Sequence, residues 1–206
     1  MPAPQFAGRY ASIRKAVWKD TLGSKYTPGK DQFVNGHWKS YKTEKGYYNA
    51  QAKAFNERMK QIDRIEDAGI PTSATIIIDR SRGSMGAWQA KADLRYSYVK
   101  DGIALSRSIE GTRTGGVGYD KTSSAMANVL NKSPEFVRLL ADARVKSKKL
   151  PYGADLYAGK PYLPAYSWGV GASSINAVLR ALGYDVREHD VGDNILYEYT
   201  LKRRRA

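Results

Sequence analysis

The stretch Trp88–Ile109, WQAKADLRYSYVKDGIALSRSI, carries the most regular pattern in this 206-residue sequence. Apolar and polar residues alternate through its first half, which predicts a strand with one buried face. The residues expected on that face are Trp88, Ala90, Ala92, Leu94, Tyr96 and Tyr98. Lys100-Asp101-Gly102 is typical of a hairpin turn, and Ile103–Ile109 resumes the alternation. We therefore predict an antiparallel hairpin over this stretch.

Further strands are predicted on both sides of this hairpin. Immediately upstream, Thr72–Asp79 is rich in β-branched and apolar residues, and it would complete a three-stranded antiparallel meander. Far downstream, Tyr184–His189 and Ile195–Leu201 predict a second hairpin around Val191–Asn194.

Apolar residues at spacings of three and four predict about four helices. These cover Tyr47–Ala68, the segment that ends at Asn131, Ser133–Val145 and the segment after Ser173. The buried stripe expected on the first helix is Tyr48, Ala52, Phe55, Met59, Ile62 and either Ile65 or Glu66. Residues 151–168 are rich in Tyr and Pro and are expected to form an ordered loop. The predicted fold class is α+β, a three-stranded antiparallel meander plus a C-terminal hairpin, packed with about four helices.

Residues 1–45 differ in character from the rest of the chain. They carry 9 basic and 3 acidic groups, show little periodicity, and repeatedly place an aromatic residue beside a basic one. We expect irregular structure there and treat residues 1–45 as a basic, aromatic-rich N-terminal extension. Residues 46–206 are predicted to form a single α+β domain that ends in a basic tail at 202–206.

The charge balance points to an anionic partner. The chain has 34 Lys and Arg against 20 Asp and Glu, a net charge of +14, which repels itself in the compact state. Nucleic acid would neutralise that charge, although it could instead serve only solubility. No cysteine is present, which excludes disulfides and suits a reducing cytoplasm. No apolar run approaches the roughly 20 residues that span a bilayer, so we expect no membrane association.

In three dipeptides of the extension a lysine follows an arginine or a tryptophan: Arg14-Lys15, Trp18-Lys19 and Trp38-Lys39. Cations can follow phosphates while rings stack on exposed bases. The alternative is that these rings pack the extension onto the domain. Arg80 and Arg82 in a glycine-rich segment, and Arg203–Arg205 in the tail, are further candidate phosphate contacts, although Arg80 and Arg82 are equally consistent with a solvated turn.

Two glycine-rich segments, Gly116-Val117-Gly118 and Gly169-Val170-Gly171, each precede a predicted helix start. Backbone amides at a helix N-terminus carry partial positive charge and bind phosphate, and glycines allow close approach. The alternative is that the glycines make tight turns. The full set of predicted nucleic-acid contacts is Arg14, Lys15, Trp18, Lys19, Trp38, Lys39, Arg80, Arg82, Arg113, Gly116, Gly118, Lys121, Gly169, Gly171, Arg203, Arg204 and Arg205.

Residues 114–131, TGGVGYDKTSSAMANVLN, resemble the GGxGYDKxSxAxAxxLN motif of small proteins encoded by bacteriophages and other mobile elements. The resemblance extends at most over residues 80–183. It includes residues 80–86 upstream, where Gly83-Ser84-Met85 replaces an expected aromatic, and residues 168–174 downstream. It implies a phage or mobile-element origin, and hence the cytoplasm of a bacterial host cell. It supplies no catalytic residues.

Little in the sequence favours catalysis. His37 and His189 are the two histidines, and neither stands at a metal-binding spacing from another ligand. We therefore expect no enzymatic activity, no cofactor and no metal. The leading hypothesis is a nucleic-acid-binding accessory protein that grips the phosphate backbone of DNA or RNA. The alternatives are a protein-binding inhibitor of a host defence system, such as an anti-CRISPR or anti-restriction factor, and a virion or packaging component.

Overall fold

The structure is a computed structural model that describes residues 4–35, 37–82, 88–116, 121–164, 172–190 and 196–203. Over these residues the chain is α+β and divides into two compact units. Unit 1 comprises Met1–Asp67 and Leu156–Lys160, and unit 2 comprises Ala68–Asp155 and Pro161–Ala206. The expected division into an extension and one domain at residue 45 stays a prediction. Among the described residues no helix is both long and apolar enough to cross a membrane.

Between residues 4 and 67, apart from residue 36, unit 1 contains two helices and a short hairpin, to which the segment Leu156–Lys160 is added. Its elements are α1 (Ala11–Leu22), β1 (Asp31–Val34), β2 (His37–Ser40) and α2 (Glu44–Asp67). The expectation of irregular structure before residue 45 is therefore wrong. Ile13, Val17 and Thr21 form the buried stripe of α1 at a spacing of four. A stripe of three residues that includes a threonine gives a weak amphipathic signal, and packing stabilises the helix instead.

The buried face of α2 is shifted by one residue from the predicted stripe as far as Arg58, whereas Ile62 and Ile65 are buried as predicted. Tyr47 is fully buried, whereas Tyr48 is 41% exposed. The buried residues of this helix are Tyr47, Gln51, Ala54, Arg58, Ile62 and Ile65. Two of them are polar: Gln51 donates a hydrogen bond to the Tyr47 hydroxyl, and Arg58 forms an ion pair with Asp20. A search for apolar residues alone passes over such positions, which explains the error in the first part of the predicted stripe.

Unit 2 contains one antiparallel sheet of six strands. They are β3 (Ile70–Arg82), β4 (Trp88–Lys100), β5 (Ile103–Ile109), β6 (Thr114–Gly116), β9 (Tyr184–Asp190) and β10 (Leu196–Arg203). Their order is β5-β4-β3-β10-β9, and β6 pairs with β4. The predicted three-stranded meander with a separate C-terminal hairpin is wrong, because β10 pairs with β3 from Leu196 opposite Asp79 to Lys202 opposite Ser73. Local patterns do not reveal partners this far apart in sequence.

Helices cover one face of this sheet. They are α3 (Thr122–Lys132), α4 (Pro134–Val145) and α5 (Ser173–Ala181), which bring the helices over the described residues to five where about four were predicted. They pack against β3, β4 and β9. Ala90, Ala92 and Leu94 of β4 are buried, as the alternation indicates, while Arg95 points to the other face and is exposed.

Residues 155–162 form a hairpin, where an ordered loop was expected. Its strands are β7 (Asp155–Tyr157) and β8 (Lys160–Tyr162). Ala158 and Gly159 form the turn with φ angles of 44° and 78°. Two consecutive positive φ angles are the requirement of the type I′ hairpin turn, which Asn-Gly or Asp-Gly usually meets. An alanine in the first position is an uncommon turn residue, so the sequence signal is weak.

Candidate nucleic-acid interface

The β1–β2 hairpin of unit 1 holds two aromatic rings on an outward face. Phe33 and Trp38 are directly opposite each other, and their ring centroids lie 5.6 Å apart. Trp38 is 72% exposed and Phe33 is 46% exposed. Gln32 and Val34, on the opposite face of β1, are buried. Because one face of the hairpin is anchored, the two rings are presented to solvent from a fixed position.

The buried face of the hairpin is fixed by hydrogen bonds and a small core. The Gln32 side chain accepts from the Thr27 amide at 3.0 Å and donates to the Lys25 carbonyl at 2.7 Å. Val34 belongs to a hydrophobic cluster with Tyr47 and Ala54. A hairpin of four-residue strands is marginal by itself, so this support is what gives it a defined shape.

A layer of tyrosines forms the base of this arrangement. The Tyr47 ring lies 5.8 Å from Tyr26, 5.3 Å from Tyr41 and 5.4 Å from Tyr48, measured between centroids. Burial raises the pKa of Tyr47, so its hydroxyl stays protonated. The Tyr26 hydroxyl donates to the Tyr41 carbonyl at 3.1 Å. The alternative role considered for the aromatic residues, packing, therefore applies to these tyrosines, while Trp38 and Phe33 remain exposed.

Exposed lysines flank the two rings in the sequence around the hairpin. They are Lys25, Lys30, Lys39, Lys42 and Lys45, and the acidic residues between positions 23 and 45 are Asp31 and Glu44. The structure shows no ion pair for these five lysines within the part of the chain that it describes. The Lys39 ammonium lies 5.9 Å from the Tyr41 ring centroid, at cation–π distance. By strand alternation Lys39, opposite Gln32, lies on the other face of the hairpin from Trp38 and Phe33. We call these five lysines, Phe33 and Trp38, which share one segment of the chain, the basic aromatic surface.

Only two of the predicted contact residues, Trp38 and Lys39, belong to this surface. Sequence reasoning missed Phe33 and the other four lysines as site residues. The signal that could have found Phe33 is the strand alternation of Asp31–Val34, which puts it on the face opposite the buried Gln32 and Val34.

The predicted contacts on α1 have different environments. Arg14 forms ion pairs with Asp63 at 2.8 Å and Glu66 at 2.6 Å, and its side chain is only 13% exposed. Its charge therefore joins α1 to α2. Lys15 and Lys19 are exposed, and Trp18 is half-buried.

The predicted contacts in unit 2 are mostly engaged within the fold. Arg113 pairs with Asp79 at 2.7 Å and donates to the Ser81 hydroxyl at 2.5 Å. Lys121 is buried. Gly116 is the last residue of β6, where it pairs with Trp88, and α3 begins only at Thr122.

Three predicted arginines lie on strands of unit 2. Arg80 is half-buried in β3, Arg82 is the last residue of that strand, and Arg203 is half-buried in β10 beside the Tyr184 phenol. The remaining predicted contacts, Gly118, Gly169, Gly171, Arg204 and Arg205, lie outside the described residues.

No other chemistry emerges in the part of the chain that is described. No group of three or more His, Asp or Glu side chains there could hold a metal ion. Comparison with models of known protein families gave no match, and neither did comparison with curated proteins or with solved structures.

Proposed function

We propose that the protein binds nucleic acid through the basic aromatic surface and grips the phosphate backbone without catalysis. Taken with the resemblance at residues 114–131, this makes it an accessory protein of a phage or mobile element that acts in the bacterial cytoplasm. The observation that supports the proposal is that Trp38 is 72% exposed in a segment whose five exposed lysines form no ion pair with described residues.

Each part of the surface suits one part of a nucleic acid. Lysine ammonium groups that have no internal partner release condensed counterions from phosphates when they bind, and this is the main source of non-specific affinity. An exposed indole offers a flat face on which an unpaired base can stack, and it does so without a sequence preference.

Salt dependence provides the direct test. Five phosphate contacts predict a slope of log affinity against log salt of about −3.5 for single strands and about −4.5 for duplexes. The measurement is fluorescence anisotropy of labelled single-stranded and duplex DNA and RNA with nuclease-treated protein. If the protein binds none of the four at low salt, the proposal is wrong, and a host protein that co-purifies after nuclease treatment would then favour the inhibitor alternative.

A pair of double variants distinguishes binding through this surface from a general effect of net charge. Lys39→Ala with Lys42→Ala removes two proposed phosphate contacts and is expected to reduce the steepness of the salt slope by about 1.5. The control is Lys53→Ala with Lys60→Ala, which removes the same charge from two exposed positions of α2. We expect the control to bind within about twofold of the unmodified protein, because contacts and not total charge set the slope. Equal losses in both variants would place the binding elsewhere.

A further inference from the structure

The strand β5 is an unpaired edge of the six-stranded sheet. Among the described strands it pairs only with β4, and its residues from Ile103 to Ser108 are all exposed. Its outer side therefore presents a row of backbone amide and carbonyl groups that can pair with another strand.

The other edge of the same sheet is protected, and β5 is not. On β9 the exposed side chains include Asp185, Arg187, Glu188 and His189, and charges of this kind discourage strand addition. On β5 the exposed side chains include Ile103, at 62%, and Leu105, at 40%.

The charged side chain in the β5 sequence, that of Arg107, is engaged within unit 2. Arg107 forms an ion pair at 3.2 Å with Glu135, which is 3% exposed. The edge therefore lacks a charge that is free to repel an incoming strand.

The sequence of β5 allows two copies of the strand to pair about Ser106 without opposing like charges. Antiparallel pairing of two copies centred on this residue sets Ile103 opposite Ile109 and Ala104 opposite Ser108 at both ends. Leu105 then faces Arg107, so no two like charges stand directly opposite each other. Residues directly opposite in an antiparallel pair share a face, and apolar pairs there stabilise the sheet.

We propose that two copies of the chain associate through β5, antiparallel and with a two-fold axis at Ser106, to give one continuous sheet. Such an isologous contact uses the same patch on both copies, so β5 is fully occupied in a dimer. No further copies add, because the charged side chains on the other edge strand, β9, discourage pairing there. Seven pairs of residues give an interface about 24 Å long. The contact is small and each copy carries +14, so the dimer is weak and salt, which screens that repulsion, strengthens it.

Sedimentation velocity of nuclease-treated protein tests the proposal independently of nucleic-acid binding. We expect the mass to rise from one copy to two as protein concentration increases from about 1 μM to about 500 μM, with a lower midpoint in 0.5 M than in 0.15 M salt. A single-copy mass throughout this range at both salt concentrations would overturn it.

A matched pair of variants tests the two-fold axis. Ser106→Lys brings two lysines face to face across the axis and should weaken the dimer at least about tenfold. Ser108→Lys adds the same charge to the same strand but places it opposite Ala104, so it should dimerise nearly as the unmodified protein does. Both positions are exposed, and the Ser106 hydroxyl makes only a 3.4 Å contact with Ser97, so Ser106→Lys should not unfold the chain. Ser108 lies opposite Arg95 of β4, so Ser108→Lys should lose a small part of its stability to like-charge repulsion without unfolding.

A charge swap completes the test. An equimolar mixture of Ser106→Lys and Ser106→Glu should form a heterodimer, because opposite charges then meet at the axis. Circular dichroism of each variant checks that it is folded. Equal weakening by Ser106→Lys and Ser108→Lys, or no recovery in the mixture, would exclude the proposed register.

Discussion

Trp38 contributes little to the fold that surrounds it. Its ring contacts Phe33 on the outward face of a hairpin in which only β1 is buried on the other face, and 72% of the Trp38 side chain is exposed. Single exposed apolar residues are common on protein surfaces, so exposure alone is weak evidence of function. Here the exposed ring stands within a segment of five exposed lysines and two acids, which is why we assign it a role in binding.

Replacing this side chain should separate binding from stability. We expect Trp38→Ala to lower the affinity for single-stranded oligonucleotides by about 1–3 kcal/mol, the usual contribution of one stacked base. The free energy of unfolding should change by less than about 0.5 kcal/mol, because little buried surface is lost. Anisotropy and urea unfolding measure the two quantities. Tyr162→Ala, which removes another ring that is 53% exposed, is the control and should leave affinity unchanged.

A buried polar network connects α4 to the sheet. The Tyr96 hydroxyl donates to Glu135 at 2.6 Å, the Ser133 hydroxyl contacts the same carboxylate at 3.2 Å, and Arg107 pairs with it. Burial, with a further contribution from the adjacent carboxylate, raises the pKa of Tyr96 far above its ordinary value of about 10. The folded state therefore holds this proton more tightly than the unfolded state does.

This pKa shift predicts a loss of stability at alkaline pH. The contribution of Tyr96 is fully present below about pH 10 and decreases as the pH rises above that value, because only the unfolded chain then releases the proton. Tyr96→Phe should flatten this dependence, and at neutral pH it should cost about 1–2 kcal/mol because Glu135 loses a donor. Urea unfolding between about pH 8 and 11.5 measures both effects. Tyr162→Phe, at an exposed ring, should behave as the unmodified protein; a Tyr96→Phe slope as steep as the unmodified one would contradict the assignment.

At the scale of the element, helices α4 and α5 are each followed by a residue with a positive φ angle, a serine after α4 and a glycine after α5. The Lys148 amide donates to the Ala143 carbonyl at 2.8 Å and the Ser147 amide donates to the Arg144 carbonyl at 3.0 Å, which is the Schellman arrangement. Ser147 takes a φ of 53° to make it. The corresponding residue after α5 is Gly183, with a φ of 95°.

Exchanging these two residue types should have opposite effects. We expect Ser147→Gly to stabilise the protein by up to about 1 kcal/mol, because glycine adopts positive φ without steric cost. Gly183→Ala should destabilise it by about 1 kcal/mol for the converse reason. Thermal or urea unfolding provides the comparison. If both changes alter the free energy of unfolding in the same direction, the cost of a positive φ angle does not determine the effect of substitution at these positions.

Elements with a strong local pattern were predictable, and those that depend on distant partners were not. The alternation in β4 places its buried residues correctly, and Ser133 does cap α4 by accepting from the Phe136 amide. The pairing of β10 with β3 escaped prediction because no local feature encodes it. The candidate site shows the same division: Trp38 and Lys39 were found from composition, whereas the ion pairs that engage Arg14 with α2 depend on the contact between two helices.

At the scale of the whole molecule, the charge of +14 acts on two associations in opposite ways. Raising salt from about 50 to 200 mM should weaken oligonucleotide binding about a hundredfold or more, because counterion release contributes less. The same change should strengthen pairing of two copies, since it screens their mutual repulsion. Anisotropy and sedimentation of the same preparation measure both. If salt weakens both associations or strengthens both, then either counterion release does not drive oligonucleotide binding or charge repulsion does not oppose dimerisation.

The position of β10 between β3 and β9 also bears on how the protein is made. During translation β3 and β4 can pair early, but the free side of β3 must wait until residues up to 203 have emerged from the ribosome. At about 5–20 residues per second this delay lasts on the order of ten seconds, during which Ile76 and Ile78 belong to an incomplete sheet. A nascent chain stalled before β10 would expose the unpaired side of β3, which can pair with other chains. The need for chaperones should therefore depend on the speed of elongation through the second half of the message.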